Sequence, residues 1–167
     1  MDARNDQTLF ITTPSERAFA LSRSFNAPRD LVWEAVTNPD HVRRWYGCAQ
    51  FTLAVCDIDL RVGGTYRYTM RGADGVDHTM TGVYREIVKP ERIVHTERYE
   101  TTNLITPYAL VTMTLTEQAS KTRLHTVVEH ANQDNRDAHL NSGVEHGANE
   151  TFDRLAALLE TLVAERT

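Results

Sequence analysis

The sequence predicts an α+β fold, in which a curved antiparallel sheet of about six or seven strands surrounds one long C-terminal helix. Residues 51–131 contain runs that alternate apolar and polar side chains between short turns, which is typical of antiparallel strands. Near the C-terminus, apolar side chains recur at three- and four-residue steps, at Val144, Ala148, Phe152, Leu155, Leu159 and Leu162. After the first long strand, Pro28 and Pro39 each stand where a short helix is predicted to begin.

The composition limits the function classes. The 167 residues suit one domain, which we expect over residues 9–165 after a mobile N-terminal arm of residues 1–8. The net charge of −5 disfavours a nucleic-acid partner, and no apolar run approaches the roughly 20 residues that membrane insertion requires. The N-terminus has no signal-peptide pattern. We therefore expect a cytoplasmic protein whose Cys48 and Cys56 are reduced packing residues.

Two strands are expected before the helices. Leu9–Thr12 predicts a short strand that ends before Pro14, and Arg17–Phe25 predicts a longer one. Phe19, Leu21 and Phe25 share one face of the longer strand, and the exception on that face is Arg23.

Prolines open both predicted short helices. Pro28 stands at the first position of one, where a missing N–H costs nothing, and Leu31, Val32, Ala35 and Val36 form its apolar stripe. Asn38 caps the second helix, and Gly47 ends it.

The remaining strands follow one another through short turns. The apolar phase changes between Phe51–Val55 and Cys56–Leu60, which predicts a β-bulge near Val55–Asp57. Further strands are predicted over Thr65–Arg71, about Val76–Val88, Arg92–Glu100, Tyr108–Glu117 and Thr122–Ala131.

This architecture predicts a cavity, because one helix cannot seal both ends of a curved sheet. The two short helices would close one end. We expect the cavity wall to carry aromatic, methionine and small side chains, which suit an apolar or aromatic ligand. The predicted ligand-binding residues are Trp45, Tyr66, Tyr68, Met70, Met80, Tyr84, His95, Tyr99, Met113, Val144, Ala148 and Phe152. The alternative is that these side chains simply fill the core.

The sequence carries little sign of catalysis. It has no Gly-x-Ser-x-Gly elbow and no His-x-x-x-His pair, so we expect no metal and no cofactor. His95 and Glu97 fall on one side of a predicted strand, where they could pair as an acid and a base. We take His95 and Glu97 as candidate catalytic residues, and the alternative for Glu97 is a carboxylate that faces water at the rim of the strand.

Several motifs resemble those of a known family. They are Thr12–Arg17 (TTPSER), Phe25–Ala35 (FNAPRDLVWEA), Asn38–Gly47 (NPDHVRRWYG), Asp59–Tyr68 (DLRVGGTYRY), Gly82–Ile87 (GVYREI) and Pro90–Val94 (PERIV). In this order they resemble the START-like (SRPBCC) superfamily, in its branch named for the activator of heat-shock-protein-90 ATPase. The resemblance covers residues 9–165. It implies a helix-grip fold, which the pattern of strands and helices also predicts.

The resemblance implies a cavity fold without fixing one activity. We expect binding of a small apolar or aromatic molecule. The first alternative is a cyclase, dehydratase or hydrolase that uses Tyr66, Tyr84, His95 or Glu97, and the second is a co-chaperone-like interaction module. Many members of the branch open the last helix with Gly-Trp, and Gly147-Ala148 here predicts a wider cavity. A homodimer is possible if the Leu9–Thr12 arm pairs with a sheet edge.

Overall fold

The computed structural model describes residues 8–166, which form nine strands and four helices. The strands are β1 (Phe10–Ser15), β2 (Ala18–Phe25), β3 (Phe51–Ile58), β4 (Thr65–Gly72), β5 (Asp77–Val88), β6 (Arg92–Thr101), β7 (Leu104–Ile105), β8 (Ala109–Gln118) and β9 (Lys121–Glu129). The helices are α1 (Arg29–Thr37), α2 (Pro39–Trp45), α3 (Gln133–Leu140) and α4 (Val144–Glu165).

The strands form one antiparallel sheet in the order β1-β2-β9-β8-β6-β5-β4-β3, and β7 pairs with β6 off this path. The register shifts in β1, in β3 between Leu53 and Val55, and in β5 between Tyr84 and Glu86. Such irregularities increase the local bend of a strand. The result is a curved sheet that surrounds α4, which is the helix-grip arrangement.

The two short helices begin as their sequence predicts. Pro28 precedes α1 in an extended conformation, and its carbonyl accepts the N–H groups of Leu31 and Val32. The Asn38 side chain caps α2 by accepting the Asp40 N–H at 3.0 Å. Trp45 at the end of α2 donates its indole N–H to the Ala35 carbonyl at 2.8 Å, which fixes the two helices against each other.

The main core lies between α1, α2, α4 and the concave face of the sheet. Leu155, Leu158, Leu159 and Leu162 of α4 are buried there, together with Trp33 of α1. The buried Arg23 of β2 shares this side because its guanidinium donates to Asp153 of α4 at 2.7 Å. The exception in the predicted apolar face of β2 is therefore an attachment point for α4.

The structure corrects four details of the sequence prediction. The sheet has nine strands rather than six or seven, and among them β7 (Leu104–Ile105) is a strand that the sequence pattern did not predict. β1 continues past Pro14, because an edge strand has one side without a partner. The bulge of β3 lies between Leu53 and Val55, before the predicted Val55–Asp57. Helix α3 is polar and buries no side chain completely. It therefore has no apolar stripe, and the sequence pattern did not predict it.

The N-terminal strand pairs within its own chain. Phe10–Thr12 of β1 are aligned with Ala20–Ser22 of β2, so the arm that was expected to mediate a homodimer extends the sheet of its own subunit. The homodimer stays a prediction. The mobile arm was predicted for residues 1–8, of which 1–7 lie outside the described residues. Within residues 8–166, no helix combines the length and the hydropathy required to cross a bilayer.

Candidate functional site

A cavity of about 410 Å³ lies between the concave face of the sheet, helices α1 and α2, and the first half of α4. Its size falls within the range of small-molecule sites. The lining is mainly apolar and aromatic, with Glu97, His95 and His139 as its acidic and imidazole side chains. No lysine or arginine lines the cavity in the described part of the chain.

The structure brings almost all of the predicted ligand-binding residues to this cavity. Its lining includes Trp45, Tyr66, Tyr68, Met70, Met80, Tyr84, His95, Met113, Val144, Ala148 and Phe152. Tyr99 is not among the lining residues, and its hydroxyl pairs with the His78 imidazole beyond them. Tyr99 lies four residues after His95 on β6, so alternation alone could not show that the cavity ends between them.

Gly82 makes room for one wall of the cavity. A Cβ at this position would collide with the Thr96 carbonyl oxygen and lie 2.6 Å from the Tyr66 ring. Because Gly82 has no Cβ, the Tyr66 ring of β4 can cross over β5. The Tyr66 hydroxyl then donates to the Thr96 carbonyl of β6 at 2.9 Å. The β5–β6 pairing is interrupted here, and the Val83 N–H donates to the Thr96 hydroxyl at 2.9 Å.

The Thr96 carbonyl also accepts a hydrogen bond from His95. Its Nδ1 lies 2.9 Å from the Thr96 oxygen, and because a carbonyl can only accept, this contact assigns the proton to Nδ1. Nε2 of the neutral ring then keeps its lone pair. Burial lowers the pKa of His95, which favours this neutral form. The edge of the ring packs against Tyr66, with centroids 4.9 Å apart.

Glu97 is the acidic side chain of the cavity. Within residues 8–166, no hydrogen bond or ion pair reaches its carboxyl group. Burial raises the pKa of this carboxyl from 4.5 to about 7, because little water remains to solvate the charged form. No hydrogen bond joins Glu97 to His95 within the described residues, and the Nδ1–H of His95 donates to the Thr96 carbonyl. The carboxyl group therefore has unused hydrogen-bonding capacity inside the cavity.

Four tyrosines form a continuous aromatic surface next to these groups. The ring centroids are 4.6 Å apart for Tyr46 and Tyr68, 5.1 Å for Tyr66 and Tyr68, and 5.6 Å for Tyr66 and Tyr84. Burial raises the pKa of Tyr84 to about 12, and burial followed by the charge of Glu97 raises the pKa of Tyr46 and Tyr66. All four rings are therefore neutral near pH 7.

The segment after α2 is attached to α4 beside the cavity. The Gly47 carbonyl accepts the Arg154 guanidinium at 2.9 Å and the Thr151 hydroxyl at 3.2 Å. The Ala49 N–H donates to Glu150 at 2.6 Å. These contacts place Cys48 in the cavity lining, where burial raises the pKa of its thiol.

Some lining residues were not predicted. Val36 of α1 and Tyr46, the residue directly after α2, also line the cavity, and their position in the apolar patterns of the predicted helices was the available signal. Phe19 and His139 line the end near α3. His139 lies 3.0 Å from His130 and contacts the Phe19 ring, but it belongs to a helix that the apolar pattern does not predict.

The cavity lining does not include a metal-binding cluster. Across residues 8–166, no three histidine, cysteine, aspartate or glutamate side chains converge closely enough to hold an ion. His130 and His139 contact each other without a third such partner in this part of the chain.

Comparison with known proteins identifies the family. The family model described as Activator of Hsp90 ATPase homolog 1-like protein matches residues 26–160. None of the curated proteins compared with the chain matches it.

Solved structures agree with this assignment. A crystal structure from Rhodobacter sphaeroides is 25% identical, with a TM-score of 0.86 over 92% of this chain and 98% of the other. A structure from Chromobacterium violaceum is 27% identical, with a TM-score of 0.70 over 86% of this chain and 97% of the other. A structure from Nitrosomonas europaea, 24% identical over 90% of this chain and 98% of the other with a TM-score of 0.79, shows the same fold. The chain therefore belongs to the family of Activator of Hsp90 ATPase homolog 1-like proteins, within the START-like superfamily that its motifs resemble.

Proposed function

We propose that the protein binds a small apolar or aromatic molecule in the cavity between the sheet and α4. The observation that carries this proposal is a volume of about 410 Å³ enclosed by mainly apolar and aromatic side chains. A cavity of this kind stabilises a ligand by removing its apolar surface from water. Ala148 contributes only a methyl group to the lining, which leaves space above the first turns of α4.

A thermal-shift screen with lipids and aromatic compounds tests the proposal. A compound present at one hundred times its Kd stabilises the folded protein by about 2.7 kcal/mol. We expect Ala148→Trp to abolish the shift, because the indole occupies the cavity. The matched control is Ala157→Trp, since Ala157 lies on the exposed side of the same helix. The proposal fails if no compound stabilises the wild type, or if both variants respond equally.

A second candidate function is acid–base catalysis on the bound molecule. It is supported by the unpartnered carboxyl of Glu97, whose pKa of about 7 allows it to donate or accept a proton near neutral pH. The free Nε2 of His95 lies on the same side of β6. NMR titration of both side chains tests this candidate. An ordinary pKa for Glu97 and His95 would remove its basis.

We also propose a cytoplasmic location. Cys48 and Cys56 are both free thiols, and the surroundings of the buried Cys56 are those of a packing residue. Free thiols of this kind are typical of a reducing compartment. Fractionation of cells that express the protein with its native N-terminus tests the location, and recovery outside the cytoplasm would contradict it.

A further inference from the structure

We propose that the ligand of this cavity is an apolar or aromatic amine, whose protonated nitrogen binds between the Glu97 carboxylate and the tyrosine surface. This inference rests on the proposed function and specifies its substrate class. The geometry that points to it is an acidic side chain without a partner, in a cavity whose described lining contains no lysine or arginine.

The polar groups that line the cavity together with Glu97 offer mainly hydrogen-bond acceptors. Nε2 of His95 keeps a lone pair because Nδ1 is occupied by the Thr96 carbonyl. The Tyr66 hydroxyl already donates its proton to the same carbonyl, so that only its lone pairs are free. The Tyr46 hydroxyl, which lies within electrostatic range of Glu97, can donate or accept. The acceptors are thus Glu97, His95 and Tyr66, and the Tyr46 hydroxyl can take either role. This set suits an ammonium group, which has donors and no acceptor.

The aromatic surface formed by the four tyrosines also favours a positively charged ligand. Tyr46, Tyr68, Tyr66 and Tyr84 form an unbroken series of neighbouring rings beside the acidic group. The faces of aromatic rings carry a negative potential that attracts cations, and the attraction increases when the cation is removed from water. A carboxylate ligand, in contrast, would meet Glu97 without a compensating cation. The cavity therefore discriminates by charge as well as by shape.

Three probes with one naphthalene ring separate charge from shape: 1-naphthylmethylamine, 1-naphthylmethanol and 1-naphthoic acid. Their affinities for the full-length protein are measured by calorimetry at pH 8, where the amine is a cation and the acid an anion. We expect the amine to bind at least tenfold more tightly than the alcohol, which corresponds to about one charge-assisted hydrogen bond. The acid should bind most weakly.

Glu97→Gln keeps the shape of the side chain and removes its charge. We expect this variant to lose the tenfold preference for the amine over the alcohol and to bind the acid more tightly. Glu160→Gln is the matched control, because Glu160 is exposed on α4 and should leave all three affinities unchanged.

The outcomes separate the two proposals. If the alcohol or the acid binds wild type as tightly as the amine, or if Glu97→Gln leaves the preference for the amine intact, the amine inference is overturned while the cavity still binds apolar rings. If none of the three probes binds, the amine inference is overturned, and the thermal-shift screen with lipids and aromatic compounds separately decides the proposed function. A Glu97→Asp variant, which shortens the side chain and keeps the charge, should retain part of the preference and provides a second test.

Discussion

The stability of the protein should depend on pH through Glu97. Its carboxyl group has a pKa of about 7 in the folded chain, against an ordinary value of 4.5, because burial disfavours the charged form. Between these two values the folded protein binds more protons than the unfolded chain. The contribution of Glu97 to the free energy of unfolding therefore falls as the pH rises from 4.5 to 7, and stays level above that window.

The size of the effect follows from the displacement of the pKa. At about 1.4 kcal/mol per pH unit, the displacement from 4.5 to about 7 corresponds to at most about 3.5 kcal/mol. Glu97→Gln has no ionisable group at this position, so it should lack this loss. Relative to wild type, we expect the variant to gain up to about 3.5 kcal/mol between pH 4.5 and pH 8.

Urea unfolding of wild type and Glu97→Gln at several pH values from 4 to 8.5 measures this difference. His95 lies two residues before Glu97 on β6 and is present in both proteins. The effect of its titration therefore largely cancels when the two free energies of unfolding are subtracted. The neighbouring Tyr46 and Tyr66 remain protonated, since burial raises their pKa. For Glu160→Gln, the difference from wild type in the free energy of unfolding should not change with pH, because the Glu160 side chain is exposed. A difference between Glu97→Gln and wild type that stays constant across this range would refute the reasoning.

Three substitutions test the packing that forms the cavity, each by urea unfolding at one pH. Gly82→Ala should destabilise the protein by more than about 1 kcal/mol, because its Cβ would collide with the Thr96 carbonyl; an unchanged midpoint would contradict this. Leu155→Ala should cost about 3 kcal/mol, since Leu155 is completely buried on α4, and a loss below 1 kcal/mol would show that the core collapses around it. Thr122→Val should cost about 1 kcal/mol, because the Ala27 carbonyl loses a buried hydrogen bond of 2.7 Å; a neutral result would mean that water replaces the hydroxyl.

Most of the secondary structure could be predicted from the sequence. Pro28, Asn38 and Pro39 define where α1 and α2 begin through local backbone chemistry, and such signals do not require the rest of the fold. The stripe of leucines predicts α4 because its period matches a helix. Helix α3 lacks such a stripe, and a polar helix is difficult to distinguish from a loop by periodicity.

The sequence by itself determined the strand faces, the two short helices, the long C-terminal helix and the family motifs. Alternation on β4 and β5 placed Tyr66, Tyr68, Met70 and Met80 together, because neighbouring antiparallel strands share a face. The extent of the cavity was not determined in this way, and Tyr99 was placed in it although the cavity ends before that residue.

Only the tertiary structure decided how the polar groups of the cavity are used. Three features depend on distances between strands, which the sequence does not give. His95 donates to a carbonyl, Glu97 lacks a partner in the described chain, and the Tyr66 ring crosses over Gly82. A sequence records which groups can form hydrogen bonds, but the partner of each group is set by residues far apart along the chain. The charge preference of the cavity follows from these pairings.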